Sequence, residues 1–197
     1  MTPKQQERIR LKIKAIKAEL AADKKFWGGQ YHDGRGFRYM PPQFYIQIND
    51  FSGGLRYLNW FNKIFPDDSC YPIFWFEWSI ILFKTGRFQD AEKKAFSCFC
   101  SNVYIFDAFL GRPVFKIEKE ERSIIETVDY AITNFTYSSK QENLVDFAKW
   151  LEKFIGTDTF IQVSNKYLDI QKKLLTVSDS KTRQFLLRLE SQLVNEI

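Results

Sequence analysis

The chain is poor in the residues from which most catalytic and metal sites are built. Its 197 residues include one histidine, His32, and three cysteines, Cys70, Cys98 and Cys100. It contains no Gly-x-Ser-x-Gly, no Walker-type phosphate loop and no His-Glu-x-x-His, and these absences remove the usual hydrolase, nucleotide-binding and zinc-protease arrangements. Three cysteines with no Cys-x-x-Cys pair exclude a disulfide framework and predict reduced, buried thiols. Cys98 and Cys100 fall on different faces of a helix, which argues for separate packing roles and against a shared metal. The longest apolar stretch, Tyr71 to Phe83, is 13 residues and contains Glu77, well short of the roughly 20 that cross a bilayer as a helix. Met1-Thr2-Pro3-Lys4-Gln5-Gln6 leads into no apolar run, so no secretory leader is expected. The expectation is a soluble, cytoplasmic protein that is not an enzyme and needs no cofactor and no metal.

What the chain does have is aromatic bulk and helical periodicity. Twenty phenylalanines and five tryptophans supply large areas for a core or an interface. Ile9, Ile13, Ile16 and Leu20 recur at helical spacing across residues 4–25, with Arg10, Lys12, Lys14 and Lys17 off that line. Residues 26–40 carry four glycines and no period, and read as a loop anchored by Tyr31 and Phe37.

In the carboxy-terminal half, four stripes predict further helices. Ile117, Ile124, Val128, Ala131 and Phe135 form the first; Leu144, Phe147, Leu151 and Ile155 the second, closed by Gly156. Phe160, Val163, Tyr167 and Leu174 form the third. Phe185, Leu189 and Leu193 form the fourth, with Ser178, Asp179 and Ser180 as capping candidates. No period-2 strand competes, so the fold class is all-α.

Two segments echo each other. Asn49-Asp50-Phe51-Ser52-Gly53-Gly54-Leu55 and Gly86-Arg87-Phe88-Gln89-Asp90-Ala91-Glu92 align with Phe51 and Phe88 at a 37-residue period, in the range of helical repeat units. In the second unit Trp75, Trp78, Ser79 and Leu82 supply a large, large, small, large pattern, Gly86 the turn, and Phe88, Ala91, Ala95 and Cys98 the packing places of a second helix. In the first, Tyr45, Phe51, Gly54, Leu58, Phe61 and Pro66 fit, while Pro41 and Pro42 require its first helix to start late and stay short.

These residues resemble the tetratricopeptide repeat, a helical hairpin of about 34 residues. The resemblance implies antiparallel hairpins over residues 41–102, stacked as a short superhelix with additional carboxy-terminal helices over 103–197 that continue or cap it. It also implies a groove lined by Tyr39, Gln43, Ile46 and Gln47 from the first hairpin and by Ile73, Phe76, Ile80, Phe83 and Lys84 from the second. Phe76 and Ile80 stand where the carboxylate-clamp subclass carries asparagine and lysine. The groove is therefore expected to take an apolar partner segment or to be filled by this protein's own helices.

Charge adds a second surface. Residues 1–25 hold eight lysines and arginines against three acids, which accounts for the whole net charge of +5.

The leading reading is a non-enzymatic protein-binding module, of the scaffold or dedicated-inhibitor (immunity) kind. It would meet its partner through Arg35, Arg38, Tyr39, Gln43, Gln47, Phe76, Phe83 and Lys84, with the 26–40 loop at the groove's entrance. The alternative is nucleic-acid binding through Lys12, Lys14, Lys17, His32 and the loop's arginines and aromatics. A third reading is a small enzyme centred on His32, Asp33 and Arg35. Glu77, set among Trp75, Phe76, Trp78 and Ile80, is expected to be a buried acid paired to a basic group or the backbone of a neighbouring helix, a catalytic acid being the rarer alternative.

Overall fold

The computed structural model describes residues 1–197, and they form ten α-helices and no strand. The chain packs as two compact units, residues 1–70 with 80–87, and residues 71–79 with 88–197.

In the first unit, helix α1 (Pro3–Phe26) begins at a capping box in which Thr2 and Gln5 satisfy each other's backbone N–H groups, and ends with Lys24 and Lys25 in its last turn. The box satisfies N–H groups of the first turn, and the two lysines suit the negative end of the helix dipole. The predicted stripe faces inward: Ile13, Ile16 and Leu20 are buried, and α1 packs on α2 (Pro41–Gln47) and on a single 3₁₀ turn at Phe37–Tyr39. Helix α2 is short and opens on Pro41, as the two prolines require. Asp50 then caps α3 (Phe51–Ile64), accepting the Gly53 N–H at 2.8 Å. The α3 glycines let helices approach closely. A Cβ on Gly54 would lie 2.8 Å from Ile81 Cδ1, and one on Gly53 would lie 2.7 Å from the Tyr45 ring.

Helix α4 (Pro72–Lys84) contributes its two halves to different units. It ends where Gly86 takes a positive φ of 76° and the Arg87 N–H reaches back to the Leu82 carbonyl, the glycine-terminated helix end that leads into a turn.

In the second unit, α5 (Phe88–Ser101) buries Ala91, Ala95 and Cys98, three of the four packing places expected from the repeat pattern, together with Phe96, while Phe88, the fourth, is exposed at the helix's first position. Lys94 lies over the rings of Trp75 and Trp78 at 4.5 and 4.2 Å. The remaining helices are α6 (Ile105–Leu110), α7 (Val128–Thr133), α8 (Val145–Ile155), α9 (Asp158–Thr176) and α10 (Ser180–Gln192). Of the capping candidates before α10, Asp179 serves, accepting the Thr182 N–H.

The predicted helical stripe from Ile117 to Phe135 is not one helix. Residues 112–123 are non-helical, a 3₁₀ turn follows at Ile124–Glu126, and Thr127 caps the short α7. Side chains from elsewhere in the unit take over the hydrogen bonds a helix would have supplied. The Tyr104 hydroxyl accepts from the Ile117 N–H at 3.1 Å, and the Asn102 amide donates to the carbonyls of Ile125 and Thr127 at 2.8 and 3.0 Å. Ion pairs of Glu120 with Arg183 and of Arg122 with Glu190 fix the strap further. The apolar spacing of this segment coincides with helical periodicity, but Ile117 and Ile124 are exposed, so burial did not select it.

Candidate functional site

The 26–40 segment is braced by carboxylates and hydroxyls of its own and of the helices around it. Asp23 accepts the N–H groups of His32 and Asp33 at 2.8 and 3.1 Å, and Asp33 accepts those of Phe37 and Arg38 at 2.9 and 3.0 Å. The Arg38 guanidinium forks between Asp33 (3.0 Å) and Asp68 (2.8 Å) and also donates to the Tyr39 hydroxyl. Tyr39 in turn donates to Asp68 at 2.6 Å, and Tyr57 donates to the Arg38 carbonyl at 2.7 Å. Burial opposes charge on Asp68, but hydrogen bonds from Tyr39, the Cys70 N–H and Arg38 outweigh it and hold the carboxyl below its ordinary range.

Arg38 and Tyr39, expected at a groove entrance, therefore commit their polar groups to this network. Arg35 is exposed and lies over the Phe37 ring.

His32, Asp33 and Arg35 do line one hollow beside α1, but their functional atoms do not meet. His32 stacks on Trp27 at 4.8 Å, and the Asp33 oxygens are taken by Arg38 and two backbone N–H groups. Asp33 thus serves the loop's own backbone and Arg38, and no hydrogen bond joins it to His32.

Of the residues expected to line a groove from α4, Phe76 and Ile80 are fully buried. Phe76 is enclosed by Phe109, Phe135, Tyr137 and Phe147 at centroid distances of 4.9–5.7 Å, so this part of the groove is filled by the protein's own side chains. Gln43 is half-buried and Gln47 exposed on α2, and Phe83 is half-buried. On α1, Lys12, Lys14 and Lys17 are all exposed, and Lys12 lies over Phe44 and Lys17 over Tyr45 and Tyr57.

An open cleft lies within the first unit, between α1, α2 and α3. It has a volume of about 480 Å³ and is walled by Tyr31, Tyr45, Tyr57 and Trp60, with Lys17 and Arg56 on its rim. Tyr57 and Trp60 stand three residues apart on α3 and so share a face. Tyr31 meets Trp60 edge-on at 5.7 Å. Asp50, Gly53 and Arg56 line the cleft too, and Gly53 is where the α2–α3 contact leaves no room for a side chain.

A wider, shallower hollow shares Asp50 and Arg56 with it and adds Lys84 and Arg87. Lys84 is the one member of the expected α4 groove set found here.

The sequence pattern points to Tyr31 as an anchor and Lys17 as a contact, but not to Arg56, Tyr57, Trp60 or Arg87. The available signal was the Tyr57–Trp60 pair at helical spacing, set beside the Leu58 and Phe61 that serve the core. Comparison of the chain with family models, with curated proteins and with solved structures found no match.

Proposed function

We propose that this chain is a non-enzymatic helical binding protein, of the tetratricopeptide-like kind its hairpins resemble, and that it takes a segment of another protein in the cleft of Tyr31, Tyr57 and Trp60. The observation that carries this reading is the cleft itself. It sets aromatic walls beside an arginine, and aromatic and arginine side chains are the residues that most often dominate binding energy at protein interfaces. Its volume of about 480 Å³ is in the range of pockets that enclose small ligands or anchor side chains. A dedicated inhibitor of immunity type and a cytoplasmic scaffold are both compatible with this reading.

The test is capture from the native cell by the full chain, with and without nuclease, compared with the Trp60→Ala and Arg56→Glu variants. Protein partners retained after nuclease treatment and lost with both variants support the reading. Capture that vanishes with nuclease, or that both variants retain, overturns it.

A further inference from the structure

Resting on that reading, we infer that the segment bound in the first unit is acidic and carries an apolar anchor, with the anchor in the aromatic cleft and carboxylates along the adjoining hollow. The two hollows meet at Asp50 and Arg56, so one ligand can occupy both. Their charged lining residues are Lys17, Arg56, Lys84 and Arg87 against the single carboxylate of Asp50. That carboxylate is already engaged as the α3 cap.

Arg56 and Arg87 are exposed, and neither guanidinium forms an ion pair with the chain's own acids. An exposed arginine fork matches the two oxygens of a carboxylate, and a cluster of one sign attracts the opposite one.

A polyanion of the nucleic-acid class fits less well. Single strands bind by stacking bases on open aromatic faces, and here lysines already lie over the rings. Lys17 sits over Tyr45 and Tyr57 at 5.6 and 5.8 Å, and Lys24 over Tyr31 at 5.3 Å. Trp60 is the wall ring with no cation over it, which leaves a recess for one anchoring side chain and no run of open faces for successive bases.

The full chain should be titrated with short labelled peptides of three kinds: one rich in Asp and Glu around a single Trp, its Asn/Gln counterpart, and its Lys counterpart. A single-stranded oligonucleotide serves as the fourth probe. The acidic peptide is expected to bind at least about tenfold tighter than the amide peptide, with affinity falling as salt rises. The Lys peptide should bind weakest of the three; the Arg56→Glu/Arg87→Glu variant should lose at least about tenfold for the acidic peptide only, and Trp60→Ala should weaken the acidic and amide peptides alike, with circular dichroism melts confirming that each variant folds.

Equal binding of the acidic and amide peptides, still dependent on Trp60, ends the acidic inference and leaves the cleft as a protein site. Peptide binding independent of Trp60 ends both. Tighter binding of the oligonucleotide than of any peptide, or self-association of the chain abolished by the Arg56→Glu/Arg87→Glu variant, assigns the groove to another occupant and overturns the proposal.

Discussion

The Tyr137 hydroxyl donates a 2.6 Å hydrogen bond to Oε1 of Glu77, placing a carboxyl and a phenol together in the aromatic core of the second unit. Glu77 is 4% exposed. Burial pushes its pKa up from 4.5 to about 8, against the pull of the Tyr137 hydrogen bond, which favours the carboxylate. Burial likewise raises the Tyr137 pKa, with the neighbouring Glu77 charge adding to it.

A pH dependence of stability follows. Between pH 4.5 and about 8 the folded chain keeps a proton on Glu77 that the unfolded chain has released. The native state then binds more protons, so this group's contribution to stability falls as pH rises through that window. Integrated over the window, the loss is on the order of 5 kcal/mol. Glu77→Gln keeps an acceptor for Tyr137 and removes the titration. Urea unfolding at about pH 5 and about pH 8 should show the decline in the native protein and little of it in the variant. An equal decline in both would assign the pH dependence to other groups.

The buried acid was legible from the sequence because Glu77 interrupts the longest apolar stretch, and so were the bounds of α4 and α5, which proline and the Gly86 turn define. Ala91 and Ala95 are buried as the repeat pattern required. The partner of Glu77 was not legible. Tyr137 is brought to it by tertiary packing across sixty positions of sequence, and no local pattern encodes that. The 112–127 strap was misread for a related reason: its backbone is satisfied by the Asn102 and Tyr104 side chains, so apolar spacing there carries no information about helix. The cleft was read only in part, because Tyr57 and Trp60 have the spacing of core residues, and only the packing of α1 and α2 around α3 turns that face into a cleft wall.

The α2–α3 contact is testable at Gly53. A Cβ there would meet Asp50 Oδ2 at 2.3 Å and the Tyr45 ring at 2.7 Å, so alanine must displace the α3 cap, the cleft wall or both. Helix propensity favours alanine over glycine by about 1 kcal/mol, but losing the cap and overpacking the ring each cost about 1–2 kcal/mol. Gly53→Ala should therefore lower stability by about 1–3 kcal/mol in denaturant titrations and weaken ligand binding at the cleft. Stabilisation by alanine would mean that the helix pair relaxes apart.

Gln171 offers the opposite sign. It is fully buried on α9, and neither its amide nitrogen nor its amide oxygen has a hydrogen-bond partner in the chain. An unsatisfied buried amide costs about 1–3 kcal/mol, whereas an apolar side chain of similar size costs nothing of that kind. Gln171→Leu or Gln171→Met should raise the unfolding free energy by about 1–2 kcal/mol, measured by the urea midpoint at unchanged slope. A loss of stability in both variants would show that the amide is hydrogen-bonded in solution.

Two arginines three positions apart, Arg35 and Arg38, differ in what holds them. Arg38 is held between Asp33 and Asp68, whose side chains are 2% and 8% exposed, while its own side chain is 20% exposed. Removing one partner of a buried pair leaves the other charge uncompensated, at about 3–5 kcal/mol when burial is complete. The partial exposure of Arg38 reduces that, so Arg38→Ala should cost about 2–4 kcal/mol of stability. Arg38→Lys should recover only part of it, because an ammonium cannot span Asp33, Asp68 and the Tyr39 hydroxyl as the planar fork does. Arg35 is exposed over the Phe37 ring, and Arg35→Ala should fall within about 0.5 kcal/mol of the native protein. Urea unfolding of the three variants beside cleft-peptide titration reads both effects. Binding lost with Arg38→Ala only as far as folding is lost makes the 26–40 segment a strap that holds the cleft's α1 and α3 walls together. A stably folded Arg38→Ala that no longer binds would instead put the guanidinium in contact with the partner.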